Sequence, residues 1–280
     1  MKILITGANG QLGTQLEKKL KPFHTVFGLG KEELDITDKE ITEKVISRIK
    51  PQIIIHTAAF TAVDQCEIDR KKAFEINSLG TGNIAKGANL VNARMVYISS
   101  DYVFDGTKMS PYLEENEPNP QSIYGISKWL GEKVVQNLYD GLIIRTSWLY
   151  GHDGNNFVKT MLKLAERQCE VKVVNDQIGS PTYVHDLTDT IIQLLSKKSG
   201  IYHASNSGSC SWYEFAVKIF EEAGYSSKLI KSITTEEYGS QAPRPKYSVL
   251  GNVALRRENL KVLRPWEEAL KEFIREESNK

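Results

Sequence analysis

The sequence opens with MKILITGANGQLG (residues 1–13), in which an apolar run is followed by a glycine-rich turn. Its first half, KILIT, is rich in β-branched residues and is typical of a buried strand. Its second half runs into QLGTQLEKKL (11–20), which is helix-like. A helix N-terminus exposes unpaired N–H groups and carries partial positive charge, so the turn between strand and helix suits a pyrophosphate.

Three glycines punctuate this turn at intervals of three residues. Gly7 would make the turn, Gly10 would admit the phosphates, and Gly13 would let the helix pack against the strand. The G-x-x-G-x-x-G spacing is wider than the G-x-G-x-x-G of many dehydrogenases, and alone it is a weak signal. A glycine-rich turn without a ligand is the alternative interpretation.

The end of the second strand bears on which dinucleotide would bind. An Asp or Glu about twenty residues beyond the glycines usually holds the adenosine ribose of NAD. Here Gly28, Leu29 and Gly30 occupy that position, and Lys31 follows. The carboxylates come later, at Glu32, Glu33 and Asp35. A missing acid beside a lysine tolerates the 2′-phosphate of NADP, so NADPH is favoured over NADH, unless Lys31 is simply solvated.

Composition excludes several function classes. The chain has 280 residues with 40% hydrophobic content, enough for a sizeable core. Lys and Arg number 36 against 35 Asp and Glu, which argues against a nucleic-acid or anionic-membrane partner. Neither a signal peptide nor a membrane span is recognisable. The three cysteines, Cys66, Cys169 and Cys210, suggest neither a disulfide framework nor a zinc site, so we expect a cytoplasmic protein.

Strand-like runs alternate with helix-like segments along the first half of the chain. The runs are KILIT (2–6), HTVFGL (24–29), QIIIHTA (52–58), RMVYISS (94–100) and GLIIRTS (141–147). The alternation predicts an α/β fold, a doubly wound parallel sheet that binds ligands at the carboxyl ends of its strands. We expect a dinucleotide-binding domain over 1–150 and a smaller substrate-binding lobe over 151–280, with the chain able to cross between them. The long stretch 65–90 is predicted to be helical.

Two further motifs carry the chemistry, YISSDYVFDG (97–106) and YGISK (124–128). Tyr124 and Lys128 are four residues apart, so a helix places them on one face. The Lys128 charge is then expected to lower the Tyr124 pKa from about 10, so that the phenol exchanges a proton near neutral pH. Ser100, at a strand end, could hydrogen-bond the same substrate oxygen. A chance surface Tyr/Lys pair is the alternative.

With these motifs the sequence resembles the extended short-chain dehydrogenase/reductase superfamily, and more narrowly the dTDP-4-dehydrorhamnose reductases. The resemblance rests on TGANGQLG (6–13), AAFTAVD (58–64), SSDYVFDG (99–106), YGISK (124–128), RTSWLYG (145–151), NNF (155–157), NDQIGSPTY (175–183) and RPKYSVL (244–250). It implies a Rossmann-type sheet and an NADPH- or NADH-dependent reduction of the 4-keto group of dTDP-4-dehydro-β-L-rhamnose. That reaction is the last step of dTDP-rhamnose biosynthesis.

The resemblance also implies roles for individual residues. The catalytic residues would be Tyr124, Lys128 and Ser100. The cofactor would be held by Gly7, Gly10, Gln11, Leu12, Gly13, Asp35, Ile36, Ala59, Phe60, Thr61, Tyr124 and Lys128. The dTDP-sugar would meet Val63, Ser100, Asp101, Tyr102, Tyr124, Trp148 and Arg244. Many members of the family have Thr where this chain has Ser100. Serine keeps the hydroxyl but lacks the methyl group, so the hydroxyl rotates more freely. Some members use magnesium at a dimer contact, but no ligand set matches here, so we expect no metal.

Several residues keep a second interpretation. Trp148 could pack between lobes rather than stack on a sugar or base. Asp64 and Asp101 could cap helices or turns. Arg244 could be a surface residue, although its planar fork suits a pyrophosphate. His56 is interpreted as a buried, hydrogen-bonded histidine.

Two other functions fit the same motifs. A related epimerase or dehydratase acting on another sugar nucleotide would hold NAD tightly and return the hydride. A non-catalytic, NADP-binding regulatory subunit would bind without turnover. The partners expected are a dTDP-sugar and a second copy of the chain as a homodimer, with neither nucleic acid nor membrane.

Overall fold

The computed structural model describes residues 1–279, as twelve strands and twelve α-helices. The strands are β1 (Lys2–Thr6), β2 (Thr25–Leu29), β3 (Ile53–His56), β4 (Arg94–Ser100), β5 (Gly141–Thr146), β6 (Leu149–Tyr150), β7 (Val171–Val174), β8 (Ile178–Gly179), β9 (Thr182–Tyr183), β10 (Gly200–His203), β11 (Cys210–Ser211) and β12 (Ile230–Ile233). The helices are α1 (Gln11–Leu20), α2 (Lys39–Ile49), α3 (Val63–Ile68), α4 (Arg70–Phe74), α5 (Thr81–Leu90), α6 (Ile123–Gln136), α7 (Phe157–Glu166), α8 (Val184–Leu194), α9 (Trp212–Glu222), α10 (Thr235–Tyr238), α11 (Val253–Arg257) and α12 (Trp266–Glu277). None of the helices within residues 1–279 is long and apolar enough to cross a membrane.

A six-stranded parallel sheet forms the centre of the molecule, in the order β10-β5-β4-β3-β1-β2. The expected doubly wound, Rossmann-type sheet is confirmed. β1 pairs with β2 on one side and with β3 on the other, so the strand order reverses there. In such sheets a crevice opens beyond the carboxyl ends of the strands at the reversal point, which is where the glycine-rich turn lies.

Alternate residues of each central strand pack on opposite faces of the sheet. Ile3 and Ile5 of β1 lie in the core formed with α1, α8 and α11. Leu4 lies in the opposite core, formed with α2, α5 and α6. Because both faces are buried, the strands read as continuous apolar runs rather than as an apolar/polar alternation.

The second half of the chain builds its own core and also contributes to the sheet. A cluster around Phe215, Phe220 and Phe273 holds α7, α9, α12, β7 and β12 together. β10, by contrast, pairs in parallel with β5 at the edge of the central sheet. The chain therefore crosses back into the first half, and the domain division at residue 150 stays a prediction.

The stretch 65–90 is helical, but it is interrupted, which the sequence did not predict. The Asp69 carboxylate accepts a hydrogen bond from the Lys72 amide at 3.1 Å and so starts α4 as a separate helix. A π-helical turn follows over Glu75–Gly80 before α5. Such π-turns are frequent at functional sites, and this one carries Asn77 toward the cleft loops.

Candidate active site

One cleft of about 630 Å³ runs across the carboxyl ends of the sheet strands, from the glycine-rich turn to a pair of tryptophans. Of the site residues predicted from the sequence, the structure brings most together in its lining. They are Gly7, Gly10, Gln11, Leu12, Gly13, Asp35, Ile36, Ala59, Thr61, Val63, Ser100, Asp101, Tyr102, Tyr124, Lys128 and Trp148. Within residues 1–279, the two predicted site residues outside this lining are Phe60 and Arg244.

The glycine-rich turn has no room for side chains. Gly7 adopts φ +70°, and a Cβ there would lie 2.7 Å from the Ala58 backbone. A Cβ on Gly13 would lie 2.4 Å from the Gly7 carbonyl oxygen. Gly10 is the N-cap of α1 and has no side chain to cover the first turn. The N–H groups of that turn therefore face the cleft through bare backbone, a cradle that fits a dinucleotide pyrophosphate.

The loop after β3 is fixed by a residue that the sequence analysis missed. Asn77 is fully buried, and its amide accepts from the Phe60 N–H at 2.7 Å and donates to the Phe60 carbonyl at 3.0 Å. The same amide donates to the Ser127 hydroxyl at 3.0 Å, which links the loop to α6. Phe60 thus contributes its backbone to the loop. A single Asn within a helical stretch was the only signal in the sequence.

At the end of β4 the Ser100 hydroxyl is already engaged. It donates to Asp101 Oδ1 at 2.9 Å and accepts from the Tyr102 N–H at 3.2 Å. Asp101 is buried, and burial raises its pKa to about 6, against the hydrogen bonds from Ser248 and Ser100, which lower it. Asp101 therefore competes with a substrate oxygen for the Ser100 proton.

Tyr124 and Lys128 lie in the cleft floor on the buried face of α6, as their spacing predicted. The expected direction of the Tyr124 pKa is wrong, however. Burial raises this pKa above its ordinary value, and a hydrogen bond with Ser100 opposes the rise only in part. Lys128 donates to the Ile98 carbonyl at 2.7 Å, and burial lowers its own pKa to about 7. At neutral pH Lys128 is therefore only partly charged, which weakens its stabilisation of a phenolate.

A buried ion pair stands directly behind this lysine. Glu132 and Arg145 form two parallel hydrogen bonds of 2.8 and 2.7 Å, and each side chain is 1% exposed. Glu132 lies one helical turn beyond Lys128, and its charge raises the Lys128 pKa against the effect of burial. The pair joins α6 to β5 and fixes the depth of the catalytic helix.

Trp148 closes the other end of the cleft, and its packing agrees with the first of its two interpretations, while stacking on a sugar or base stays a prediction. It packs on the core of the second half while also lining the cleft. Its backbone adopts φ +48°, and its ring stacks on Trp212 with centroids 3.5 Å apart. A Cβ on Gly179 would lie 2.5 Å from the indole, so only glycine leaves it room. Trp212 was not predicted as a cleft residue, because a tryptophan at the start of a helix carries no sequence signal of a binding site.

Arg244 and Asp64 form a pair at the rim of the cleft. The guanidinium donates to both carboxylate oxygens, at 3.1 and 2.7 Å. Asp64 also accepts from the Ala242 N–H at 3.0 Å, and these bonds hold its pKa below the usual value. The fork of Arg244 is thus occupied by a carboxylate, and its role toward a substrate stays a prediction.

His56 is buried with both ring nitrogens engaged, as interpreted from the sequence. Thr6 Oγ1 lies 2.6 Å from Nδ1 and Thr81 Oγ1 lies 3.1 Å from Nε2. Burial, with a smaller contribution from the Lys128 charge, lowers its pKa to about 3. The ring is therefore neutral and joins β1, β3 and α5 rather than acting on a ligand.

A dinucleotide laid along the bare turn would reach toward Tyr124, so the cleft defines a class: the nicotinamide-dependent oxidoreductases of the short-chain dehydrogenase type. The model of one family, described as the RmlD substrate binding domain, matches residues 1–279, and the chain belongs to this family.

Known proteins resemble the chain over nearly its whole length. The spore coat polysaccharide biosynthesis protein SpsK of Bacillus subtilis (strain 168) is 48% identical, with 99% of this chain and 98% of that protein covered. A dTDP-4-dehydrorhamnose reductase of Aggregatibacter actinomycetemcomitans is 42% identical over 89% of this chain and 90% of its own. The crystal structure of a dTDP-4-dehydrorhamnose reductase of Bacillus anthracis, in complex with NADP, gives a TM-score of 0.95 at 47% identity. It covers 98% of this chain and 99% of that one.

Proposed function

We propose that the protein reduces the 4-keto group of dTDP-4-dehydro-β-L-rhamnose to give dTDP-β-L-rhamnose, with NADPH or NADH as reductant. The observation that carries this proposal is the single cleft in which a phosphate-binding turn and the buried Tyr124 meet. The identity of the sugar substrate is inferred from the relatives, several of which are dTDP-4-dehydrorhamnose reductases.

The proton comes from Tyr124. Because burial keeps its pKa high, the phenol is neutral at physiological pH and acts as a general acid. As negative charge develops on the C4 oxygen, the phenol O–H bond breaks and the sugar hydroxyl forms. The resulting phenolate is then stabilised by Ser100, whose hydrogen bond favours the charged form.

Ser100 and Lys128 prepare this step. Ser100 stands at the end of β4, where its hydroxyl can turn from Asp101 to the substrate oxygen. Lys128 is held by the Ile98 carbonyl and by the Tyr97 ring, whose centroid lies 4.1 Å from its Nζ. Because these contacts fix Lys128 before the reaction, it needs no reorganisation when charge develops, and part of the rate enhancement would originate there.

The cradle around α1 fits the cofactor. The backbone at Gly10, Gln11 and Leu12 would hold the pyrophosphate, and Lys128 the nicotinamide ribose. The loops beyond β2 and β3 would hold the rest, through Asp35, Ile36, Ala59, Phe60 and Thr61. The dihydronicotinamide supplies the hydride that forms the new C–H bond at C4.

The sugar nucleotide would occupy the far half of the cleft. Val63, Asp101, Tyr102 and Trp148 line this half together with the catalytic residues. Arg244 would bind the diphosphate by exchanging its carboxylate partner Asp64 for phosphate oxygens, since both present the paired oxygens that a guanidinium prefers.

The proposal is tested by following cofactor oxidation by absorbance, with dTDP-4-dehydro-L-rhamnose made in situ. We expect wild-type protein to oxidise one equivalent of NADPH or NADH per sugar. Tyr124→Phe should lower kcat by about 10²–10⁴-fold, the usual contribution of a general acid. Tyr139→Phe is the matched control, because that tyrosine is 99% exposed.

The other two functions give different outcomes in the same assay. An epimerase or dehydratase would purify with NAD bound and consume none. A regulatory subunit would bind the cofactor, turn over nothing, and be indifferent to Tyr124→Phe. Either result would contradict the reductase proposal.

The proposal extends to location and assembly. We place the protein in the cytoplasm, where its nucleotide-linked substrate and reduced cofactor are available, and as a homodimer. Light scattering on purified protein measures the mass, and a value near 31.6 kDa, the mass of one chain, would contradict the dimer.

A further inference from the structure

The motif NNF (155–157) has no role in the reaction proposed above, yet the structure places it against the glycine-rich turn. It closes the loop 151–156 after β6 and begins α7. The Asn156 amide donates to Gln11 Oε1 at 3.0 Å, and Gln11 Nε2 donates to the Asn155 carbonyl at 3.3 Å. The first residue of α1 is therefore tied, through its side chain, to the second half of the chain.

The loop 151–156 also packs its backbone on this side chain. Gly154 adopts φ +68°, a conformation that favours glycine, and a Cβ there would lie 3.2 Å from Gln11 Cγ. A Cβ on Gly151 would lie 3.8 Å from Gln11 Oε1, an ordinary contact. Gln11 thus contacts the loop at both of its glycines in addition to its two hydrogen bonds.

The loop is itself held at both ends, so it can serve as the fixed partner of Gln11. At its start, His152 Nε2 lies 2.9 Å from Glu276 Oε2 of α12. At its end, Asn156 Oδ1 accepts from the Lys159 N–H at 3.0 Å and caps α7. The Asn156 amide nitrogen also donates to the Gly151 carbonyl at 2.8 Å, which closes the loop on itself.

The first turn of α1 is anchored from two sides. Leu12 anchors it from below, in the core of the sheet. Gly10, its N-cap, has no side chain, and the Thr14 hydroxyl donates back to the Ala8 carbonyl at 3.0 Å, within the same strand-to-helix turn. Gln11 is thus the residue of this turn whose polar side chain reaches another part of the molecule.

We propose that Asn156 is a positioning residue for the cofactor. Through Gln11 it fixes the first turn of α1, so that the N–H groups of this turn are aimed at the pyrophosphate before the cofactor binds. Donors that are oriented in advance lose less conformational entropy on binding, which raises the affinity. Asn156 lies outside the cleft lining, so its effect passes through Gln11. This inference rests on the proposed use of a nicotinamide cofactor.

A purely structural role of Asn156, as the cap of α7, predicts something different. Serine caps helices about as well as asparagine, so Asn156→Ser keeps the cap but is too short to reach Gln11. Gln11→Met removes the same bond from the other side and leaves the cap intact. If Asn156 acts through Gln11, serine has no further effect once residue 11 is methionine, whereas a role confined to α7 has the same effect in both backgrounds.

The test measures the dissociation constants of NADPH and NADH without sugar, from energy transfer between tryptophan and the reduced nicotinamide. Trp148 and Trp212 line the cleft and serve as donors. We expect Asn156→Ser to weaken both cofactors about fivefold, the value of one hydrogen bond, because both contain the pyrophosphate. Gln11→Met, which removes both bonds to the loop, should weaken them at least as much, and the double variant no more than Gln11→Met alone.

Asn175→Ser is the matched control. This exposed asparagine belongs to the same half of the chain, and its amide donates to the Ser232 hydroxyl. The substitution therefore also removes a side-chain hydrogen bond, but away from α1, and both dissociation constants should stay at their wild-type values. An equal loss of affinity in Asn175→Ser would overturn the role of Asn156.

The remaining outcomes separate this inference from the proposed function. Unchanged affinity in Asn156→Ser, or an undiminished further loss on the Gln11→Met background, overturns the positioning role even if sugar reduction continues. A loss in Asn156→Ser that disappears on the Gln11→Met background, in a protein that reduces no sugar, supports Asn156 and contradicts the reductase proposal instead.

Discussion

The two ends of the cleft are built on different principles. At the catalytic end, Ser100, Tyr124 and Lys128 are all at least nine-tenths buried, and each is hydrogen-bonded to a neighbour. At the opposite end, beside the glycine-rich turn and called here the adenosine end, glycine backbone forms the surface, and the cleft-lining Lys31 is exposed.

Because of this difference, the two ends of the cleft tolerate different substitutions. Buried charges need fixed partners, so the catalytic end depends on a chain of contacts that reaches back to Glu132 and Arg145. Exposed charges are screened by water and can be exchanged at little cost in stability. We therefore expect substitutions of charged residues to act on stability and chemistry at the catalytic end, and mainly on cofactor binding at the adenosine end.

The largest effect is expected from Glu132→Gln. The substitution leaves Arg145, which is 1% exposed, without its carboxylate partner. Loss of one member of a buried pair costs about 3–5 kcal/mol in the free energy of unfolding, measured by urea denaturation. Asp189→Asn removes the surface partner of Lys19 and should cost no more than about 1 kcal/mol. Equal stability of Glu132→Gln and wild type would show that the catalytic end does not depend on this buried ion pair.

The next effect concerns pH. The Asp101 pKa is raised to about 6 from an ordinary 3.8, so between these values the folded state holds a proton that the unfolded state has lost. The contribution of Asp101 to stability therefore falls as pH rises from 3.8 to 6, by about 3 kcal/mol in all. In Asp101→Asn this fall should disappear. Melting temperatures of both proteins between pH 4 and pH 8 provide the test, and parallel curves would contradict the buried carboxylate.

The central sheet and the catalytic residues could be predicted because their causes are local. A strand buried on both faces reads as an unbroken apolar run, and β4 begins and ends where RMVYISS does. Tyr124 and Lys128 share a helix face because they are four residues apart. These signals need no knowledge of the rest of the chain.

The remaining features depend on contacts between distant segments. Asn77 meets Phe60 across seventeen residues and Ser127 across fifty, and Arg244 meets Asp64 across 180. The sequence marks none of these pairings. The direction of the Tyr124 pKa was missed for the same reason, since it depends on how deeply α6 is buried and on where Lys128 finds its partner.

Gly13→Ala tests the adenosine end of the cleft, whose surface is formed by glycine backbone. The new methyl group would lie 2.4 Å from the Gly7 carbonyl oxygen and 2.7 Å from Ala8 Cα, and since both are backbone atoms α1 must shift. We expect a loss of about 1–3 kcal/mol in stability and at least a tenfold weaker cofactor affinity, with kcat at saturation changed less. Gly82→Ala is the control: no atom lies within 4 Å of its Cβ, so alanine should stabilise α5. Unchanged cofactor affinity in Gly13→Ala would show that the turn does not bind it.

The smallest effects come from two helix caps, one at each end of the cleft. The Ser122 hydroxyl accepts from the Gly125 N–H at 3.1 Å and caps α6, while Asp38 accepts from the Ile41 N–H at 2.9 Å and caps α2. Replacing either with alanine should cost about 1 kcal/mol. Because the first turn of α6 carries Tyr124, Ser122→Ala should also lower kcat several-fold, whereas Asp38→Ala should leave kcat unchanged. If the two variants lose stability alike and kcat alike, the catalytic end is no more sensitive to position than the adenosine end.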